Sequence, residues 1–195
     1  MNYRANKELL LARLADWDSF LRKRVRLIAC GGTALTLLNI KPSTKDIDLI
    51  VPDPGEYDYL LRLLDQLGYK SVSGSGLRRA DDFVFDLFRG PLVHTTNLLE
   101  SPLEPDNHLL IKEFTYIYLG ALNYYDLLIT KLFRGTSADM EDCLALMRYK
   151  ENDIDSQVFE RRFRATASYD ISEERVLKNL VYFLRLTKER NSNGK

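Results

Sequence analysis

The most constraining feature of the sequence is a pair of aspartates at the start of a short alternating segment, Asp46-Ile47-Asp48-Leu49-Ile50-Val51. In a strand, successive side chains point to opposite faces, so Asp46 and Asp48 share one face and the apolar residues share the other. Two carboxylates this close can share a divalent cation, and packing them together without one is unfavourable. Mg²⁺ suits such a pair because it takes carboxylates together with phosphate oxygens and water.

Two glycines, Gly31 and Gly32, precede this segment and separate a predicted strand, Val25 to Ala29, from a short predicted helix, Thr33 to Leu38. Glycine allows the backbone to approach a ligand closely. The start of the helix offers backbone N–H groups and a positive dipole end, which together favour phosphate. The segment therefore predicts a phosphate site next to the acidic pair.

A third acid, Asp86, lies in a predicted apolar strand, Phe83-Val84-Phe85-Asp86-Leu87-Phe88. An aspartate in such a strand is costly to bury unless it is paired, hydrogen-bonded or bound to metal. A carboxylate on a neighbouring strand could complete a metal site for in-line phosphoryl chemistry. The alternative, a buried aspartate that is only hydrogen-bonded, stays open.

The arrangement of a Gly-Gly pair, a helix and an Asp-x-Asp strand resembles the DNA polymerase beta-like nucleotidyltransferase superfamily. Thirteen residues separate Gly32 from Asp46. The resemblance implies that Gly31, Gly32 and the adjacent Thr33 bind the nucleotide. It also implies that Asp46 and Asp48, with Asp86 as a third acid, are the catalytic, Mg²⁺-binding residues.

A second block is similar to motifs of the abortive-infection-type toxin nucleotidyltransferases and their uncharacterised relatives. It comprises Asp126-Leu-Leu-Ile-Thr-Lys131-Leu132 and Thr136-Ser-Ala-Asp139-Met-Glu-Asp142-Cys-Leu144. The resemblance implies that Lys131 contacts nucleotide phosphate and that Asp139 and Asp142 complete the edge of the nucleotide-binding site. The alternatives are that Lys131 is an exposed helix residue and that Asp139 only interacts with the dipole of its helix. The two histidines, His94 and His108, are predicted to be incidental polar residues.

The pattern of elements predicts an α+β fold, with a small mixed β-sheet nucleotidyltransferase core flanked by helices. Residues 1–122 would form this core together with an N-terminal helix over 7–24. Residues 123–195 are predicted to form an all-helical C-terminal region packed on the core. Capping residues are predicted at Asp53, Thr136 or Ser137, Asp155 and Ser172.

Composition narrows the class of protein. Lys plus Arg and Asp plus Glu each number 28, so a strongly basic, non-specific nucleic-acid binder is excluded. The longest apolar run, Tyr116 to Leu122, is far shorter than a membrane span, and the first residues lack the apolar core of a signal peptide. The two cysteines, Cys30 and Cys143, favour a reducing compartment. A soluble, cytoplasmic protein with no membrane partner is expected.

The leading functional hypothesis is a Mg²⁺-dependent nucleotidyltransferase that moves a nucleoside monophosphate from a nucleoside triphosphate to an acceptor hydroxyl. The acceptor could be transfer RNA, a protein or a small molecule. The resemblance to toxins also implies a role as the toxin of a toxin–antitoxin pair, with a cognate antitoxin as partner. The alternatives are a catalytically inactive module that binds or regulates, and a sugar-nucleotide glycosyltransferase whose metal motif would be Asp46-x-Asp48.

Overall fold

The structure is a computed structural model that describes residues 4–80 and 82–193. The chain divides into two compact units. The first comprises Met1–His94 and Leu98–Asn123, and the second comprises Thr95–Asn97 and Tyr124–Lys195.

The first unit alternates helices and strands as far as its third helix, after which its described residues form only strands and loops. Its elements are α1 (Lys7–Phe20), β1 (Val25–Ala29), α2 (Gly31–Leu37), β2 (Ile47–Val51), α3 (Pro54–Gln66), β3 (Lys70–Ser73), β4 (Gly76–Arg78), β5 (Phe85–Arg89), β6 (Leu92–Val93), β8 (His108–Glu113) and β9 (Ile117–Leu122). The second unit is almost entirely helical. Its elements are β7 (Thr96–Asn97), α4 (Tyr124–Arg134), α5 (Ser137–Tyr149), a 3₁₀ turn (Glu151–Asp153), α6 (Ser156–Ala167) and α7 (Glu173–Asn193).

A seven-stranded sheet forms the centre of the first unit, in the order β3-β4-β5-β2-β1-β9-β8. Strands β1 and β9 are parallel, as are β2 and β5, while the remaining neighbours are antiparallel. Every residue of β2 is buried, which explains why its apolar positions are branched or long aliphatic. The expected α+β fold with a mixed sheet is confirmed.

The N-terminal helix α1 is shorter than expected and ends at Phe20. Leu21 has extended backbone and is fully buried, so the chain turns toward β1 before the basic residues that follow. Asp18 in the last turn accepts hydrogen bonds from the backbone N–H groups of Tyr116 and Ile117, at 2.7 and 2.8 Å. The end of α1 is thereby tied to the start of β9.

Helix caps in both units follow the capping residues of the sequence. Asp53 accepts from the backbone N–H groups of Gly55 and Glu56 at the start of α3, with Pro54 as its first residue. Thr136 accepts from Asp139 N at the start of α5, and Asp155 caps α6. These predicted caps are confirmed.

The core of the second unit is aromatic. Phe163 packs edge-on against Phe133 and Phe159, and Phe159 packs edge-on against Phe183. These four rings are almost fully buried. None of the described helices combines the length and the hydropathy that crossing a bilayer requires.

Candidate active site

The glycine pair begins α2, directly after β1. Gly31 has φ +56°, and a Cβ built on it would lie 2.5 Å from Oδ2 of Asp48. A Cβ on Gly32 would lie 2.6 Å from Oγ1 of Thr44. Glycine is therefore required at both positions, at Gly31 for its backbone angle as well as for space. The backbone of Gly31 lies directly against the second aspartate of the acidic pair.

The three predicted catalytic acids lie on or next to two paired strands. Asp46 directly precedes β2, and Asp48 lies within it and is only 8% exposed. Asp48 is the register partner of Asp86 on the parallel strand β5. Paired positions on neighbouring strands place their side chains on the same face of the sheet, as does the i, i+2 spacing of Asp46 and Asp48. The fold thus brings all three aspartates to one face.

Asp46 lies within electrostatic reach of Asp86. Burial raises the pKa of Asp46 above its ordinary value, and the negative charge of Asp86 raises it further, while Lys45 partly opposes both. Crowded carboxylates of this kind favour either a shared proton or a bound cation.

Local hydrogen bonds hold the acids in place. The Thr33 hydroxyl accepts from Asp48 N at 2.9 Å and donates to the carbonyl oxygen of Asp46 at 3.2 Å. Thr33 is 1% exposed, so these bonds tie α2 to the start of β2. The Ser75 hydroxyl donates to Oδ1 of Asp86 at 2.8 Å.

Two side chains near the acids were not expected from the sequence. His94 places Nε2 3.9 Å from Oδ1 of Asp48 and packs its ring edge-on against Phe88. Its backbone has φ +52°, a strained angle for a histidine. Ser75 lies in the short turn between β3 and β4. Neither residue carries a periodicity or spacing that could have assigned it, because both reach the acids through the folding of loops.

The donor set fits Mg²⁺ in its chemistry. Among the residues that the structure describes, no three His, Cys, Asp or Glu side chains already form a closed metal-binding group. Mg²⁺ commonly takes only one or two protein carboxylates and completes its shell with substrate phosphates and water. Asp46 and Asp48 could supply those carboxylates, and a cation would offset the negative charge of Asp86, which after burial is the second cause of the raised pKa of Asp46.

The other predicted nucleotide-binding residues form a buried ion network in the second unit. Lys131 on α4 is 2% exposed, and its Nζ lies 2.7 Å from Oδ2 of Asp142 and 3.5 Å from Oδ1 of Asp139. Asp139 also pairs with Arg134 and accepts from the Thr136 hydroxyl at 2.7 Å. Lys131 is therefore not the exposed helix residue of the alternative interpretation.

This network sets the charge state of its members. Burial by itself would raise the pKa of Asp139, but hydrogen bonds from Thr136 and Arg134 and the charges of Arg134 and Lys131 outweigh it and lower the pKa. Asp139 is thus held ionised by cationic partners. Cys143, enclosed beside the same network, has its thiol pKa raised by burial, so it stays a neutral thiol.

Comparisons with solved structures identify the fold. The crystal structure of ANT(2″)-Ia in complex with adenylyl-2″-tobramycin is similar with a TM-score of 0.51 at 12% identity, over 83% of this chain and 94% of that chain. The solution structure of the antibiotic-resistance factor ANT(2″)-Ia gives a TM-score of 0.52 at 14% identity, over 81% and 88%. A putative nucleotidyltransferase from Thermotoga maritima gives 0.46 at 14% identity, over 78% and 98%.

Sequence comparison identifies the family. No curated protein sequence matches this chain at a significant level. The family described as "Nucleotidyltransferase of unknown function (DUF6036)" matches residues 12–191. Since this match covers nearly the whole chain, the protein belongs to that nucleotidyltransferase family.

Proposed function

We propose that the protein is a Mg²⁺-dependent enzyme that transfers a nucleoside monophosphate from a nucleoside triphosphate to an acceptor hydroxyl and releases pyrophosphate. The observation that carries the proposal is the grouping of Asp46, Asp48 and Asp86 on one face of the sheet, with the backbone of Gly31 against Asp48. A grouping of three acids beside a glycine turn brings negative charges close together, and it suits a polyphosphate with its cation.

In this proposal Asp46 and Asp48 hold the cation, and Gly31 and Gly32 lie beside the phosphates. Bound Mg²⁺ would neutralise negative charge on the triphosphate and on the pyrophosphate that leaves. The absence of side chains at both glycines lets the backbone lie close to Asp48 and Thr44, so the phosphates would meet backbone N–H groups beside the acidic pair. Thr33 would contribute indirectly, because its hydroxyl already bonds the backbone of the acidic segment.

Asp86 is proposed to act on the acceptor, either through the cation or as a general base. The acceptor oxygen forms a bond to the α-phosphorus, the bond from that phosphorus to the bridging oxygen breaks, and pyrophosphate leaves with its electron pair. As a base, Asp86 would take the proton of the attacking hydroxyl. The hydrogen bond from the Ser75 hydroxyl to Oδ1 holds the carboxylate in place.

The proposal keeps three nucleotide-binding residues in the second unit, Lys131, Asp139 and Asp142. Their existing ion pairs set a condition for binding. A phosphate group would have to compete with Asp142 for the Lys131 ammonium, which lies 2.7 Å from that carboxylate. Asp139 has cationic partners of its own. The network is therefore as compatible with holding α4 against α5 as with ligand binding.

The acceptor is proposed to be a hydroxyl of transfer RNA, of a protein or of a small molecule. The complex of ANT(2″)-Ia with adenylyl-2″-tobramycin supports testing small molecules alongside the macromolecules. The resemblance of the Lys131 and Asp139 motifs to abortive-infection-type toxins supports a further proposal, that the protein is the toxin of a pair with a cognate antitoxin in the cytoplasm.

Transfer of label from the α-phosphate tests the proposal directly. Each of the four triphosphates, labelled at that position, is incubated with Mg²⁺ and with total RNA, total protein or a panel of polyhydroxylated small molecules. We expect label to move to one acceptor class with the wild type and not with Asp48→Asn. Label transfer that survives Asp48→Asn would contradict the assignment of the site.

Asp86→Asn distinguishes catalysis from binding. The variant retains the shape of the side chain but loses its charge, so it should still bind nucleotide through Asp46 and Asp48 and lose transfer. Transfer within a few-fold of the wild type would make Asp86 a structural acid. If the wild type binds nucleotide and transfers it to none of the three classes, the inactive binding module becomes the better description.

A further inference from the structure

The outer face of α7 carries apolar side chains that the fold leaves exposed. Val176, Leu180 and Phe183 are fully buried on the inner face of this helix. On the outer face, Val181 is 61% exposed and Tyr182 is 46% exposed. The helix is thus apolar on two faces, and its own unit covers only one of them.

Six side chains of this outer face line a shallow groove of about 400 Å³, and we call them the α7 stripe. They are Glu174, Leu177, Lys178, Val181, Tyr182 and Arg185. Their spacing of i, i+3, i+4, i+7, i+8 and i+11 is the spacing by which a helix buries one face against a neighbour. Leu177, Val181 and Tyr182 form an apolar patch among three charged side chains, and such a patch is typical of an interaction surface.

The order of charges along the stripe is self-complementary. Glu174 lies at its N-terminal end and Arg185 at its C-terminal end. When a second α7 runs antiparallel about a centre between residues 179 and 180, Glu174 comes level with Arg185 of the second copy, and Lys178 comes level with Val181. The same two-fold axis repeats both pairings, as an isologous interface requires.

We propose that the α7 stripe is a homodimer interface, formed with the antiparallel α7 stripe of a second copy of this chain. A parallel arrangement would put Glu174 beside Glu174 and Arg185 beside Arg185, so like charges oppose it. The aliphatic part of Lys178 can cover Val181 while its ammonium stays in water. Leu177 and Tyr182 flank the central row and extend the apolar contact.

The existing ion pairs of the stripe do not prevent this association. Lys178 Nζ lies 2.7 Å from Glu174, and Arg185 Nε lies 3.7 Å from Glu189. All four side chains are largely exposed, and exposed pairs of this kind contribute little stability. Glu174 and Arg185 can therefore exchange partners at low cost when a second copy arrives.

Sedimentation equilibrium of the full chain over a concentration series tests the interface. We expect a reversible monomer–dimer equilibrium for the wild type and a monomer for Val181→Asp. Glu174→Arg and Arg185→Glu should each weaken dimerisation by about tenfold, because each replaces two attractive pairs with two repulsive ones. The double variant E174R/R185E restores the attraction with reversed polarity and should dimerise like the wild type.

Glu173→Arg serves as the matched control, since Glu173 is exposed on the same helix but is not part of the stripe. It should dimerise as the wild type does. A wild type that stays monomeric throughout the series would overturn the proposal. A dimer that persists in Val181→Asp would also overturn it. The same holds if the double variant dimerises no more tightly than Glu174→Arg or Arg185→Glu alone. Circular dichroism of every variant verifies that the helix is retained.

Discussion

At the scale of single residues, Gly31 is restricted both in its backbone angle and in the space beside it. Replacing it with alanine places a methyl group 2.5 Å from Asp48 Oδ2 and also strains a backbone with φ +56°. The strain alone costs about 1–2 kcal/mol, and the clash adds about 1–3 kcal/mol. We expect Gly31→Ala to lower the free energy of unfolding by the sum and to displace Asp48, so that nucleotide binding is lost.

Gly90→Ala separates these two contributions. Gly90 has φ +69°, but a Cβ there would meet nothing within 4 Å. This control should therefore show only the strain. Equal losses for the two variants in urea denaturation would mean that Asp48 moves away freely and that the close approach is not important.

Asp46 should make the free energy of unfolding depend on pH. Its pKa is higher in the folded protein than in the unfolded chain because of burial and the charge of Asp86. The folded state therefore binds the proton more tightly and loses relative stability as the pH rises through the interval from about 4 to the raised pKa. Asp46→Asn removes this loss, so the variant should be more stable than the wild type at pH 7, and the difference should close on acidification toward pH 4.

Urea denaturation at a series of pH values measures this difference. Asp53→Asn is the control in the same measurement, because its effect on stability should depend on pH in the opposite direction. Hydrogen bonds from the backbone N–H groups of Glu56 and, to a smaller extent, Gly55 lower the pKa of Asp53. Its contribution is present at neutral pH and is lost as the pH falls through the lowered pKa. If Asp46→Asn instead destabilises the protein at pH 7, the acidic pair is structural and the proposed cation site is contradicted.

At the scale of elements, substitutions in the ion network between α4 and α5 test whether the motif of Lys131, Asp139 and Asp142 is structural. Lys131→Met leaves Asp142 buried without its ammonium partner, and breaking a buried pair from one side costs about 3–5 kcal/mol. The double variant Lys131→Met/Asp142→Leu removes both charges and should recover most of that loss. Urea denaturation of the single and double variants measures the difference.

Arg164→Met is the matched exposed control, because Arg164 lies 2.7 Å from Glu160, the same distance as in the Lys131–Asp142 pair. It should cost at most about 0.5 kcal/mol. Nucleotide affinity of the stable double variant then gives the second result. Retained affinity would restrict Lys131 to a structural role, and lost affinity would support its contact with phosphate.

Sequence reasoning predicted elements well where a local signal exists and poorly where an element ends for a non-local reason. The caps Asp53 and Asp155 act within four residues of their own position, and both are confirmed. The residues from 109 to 119 alternate loosely in polarity, as a single strand would, but two strands, β8 and β9, occupy this region. Their connection at Phe114 to Tyr116 contains no glycine or proline, so no turn residue marks it. It is held instead by Asp18 of α1.

At the scale of the whole molecule, the site depends on strand pairing that no local pattern contains. The spacing of Asp46 and Asp48 predicts that they share a face, but nothing near Asp86 predicts that it pairs with Asp48. The order of the central strands, β5-β2-β1-β9, is set by burial of their apolar faces over distances of tens of residues. Composition and spacing could therefore propose three acids, and only the fold could bring them together.

Ligand-induced stabilisation tests the molecule as a whole. A ligand that binds only the folded protein stabilises it by mass action, by about 2.7 kcal/mol at 100 times its dissociation constant. For a chain of this length that corresponds to roughly 5–10 °C in Tm. We expect one or more of the four triphosphates to raise Tm in the presence of Mg²⁺ and to raise it much less in the presence of a chelator. The reason is that the charges of Asp46, Asp48 and Asp86 repel phosphate when no cation is present.

Asp48→Asn is the control, and its Tm should change little when a triphosphate and Mg²⁺ are added. A wild type that no triphosphate stabilises at millimolar concentration would contradict the proposed nucleotide site, whereas equal stabilisation of the wild type and Asp48→Asn would place nucleotide binding away from the acidic pair.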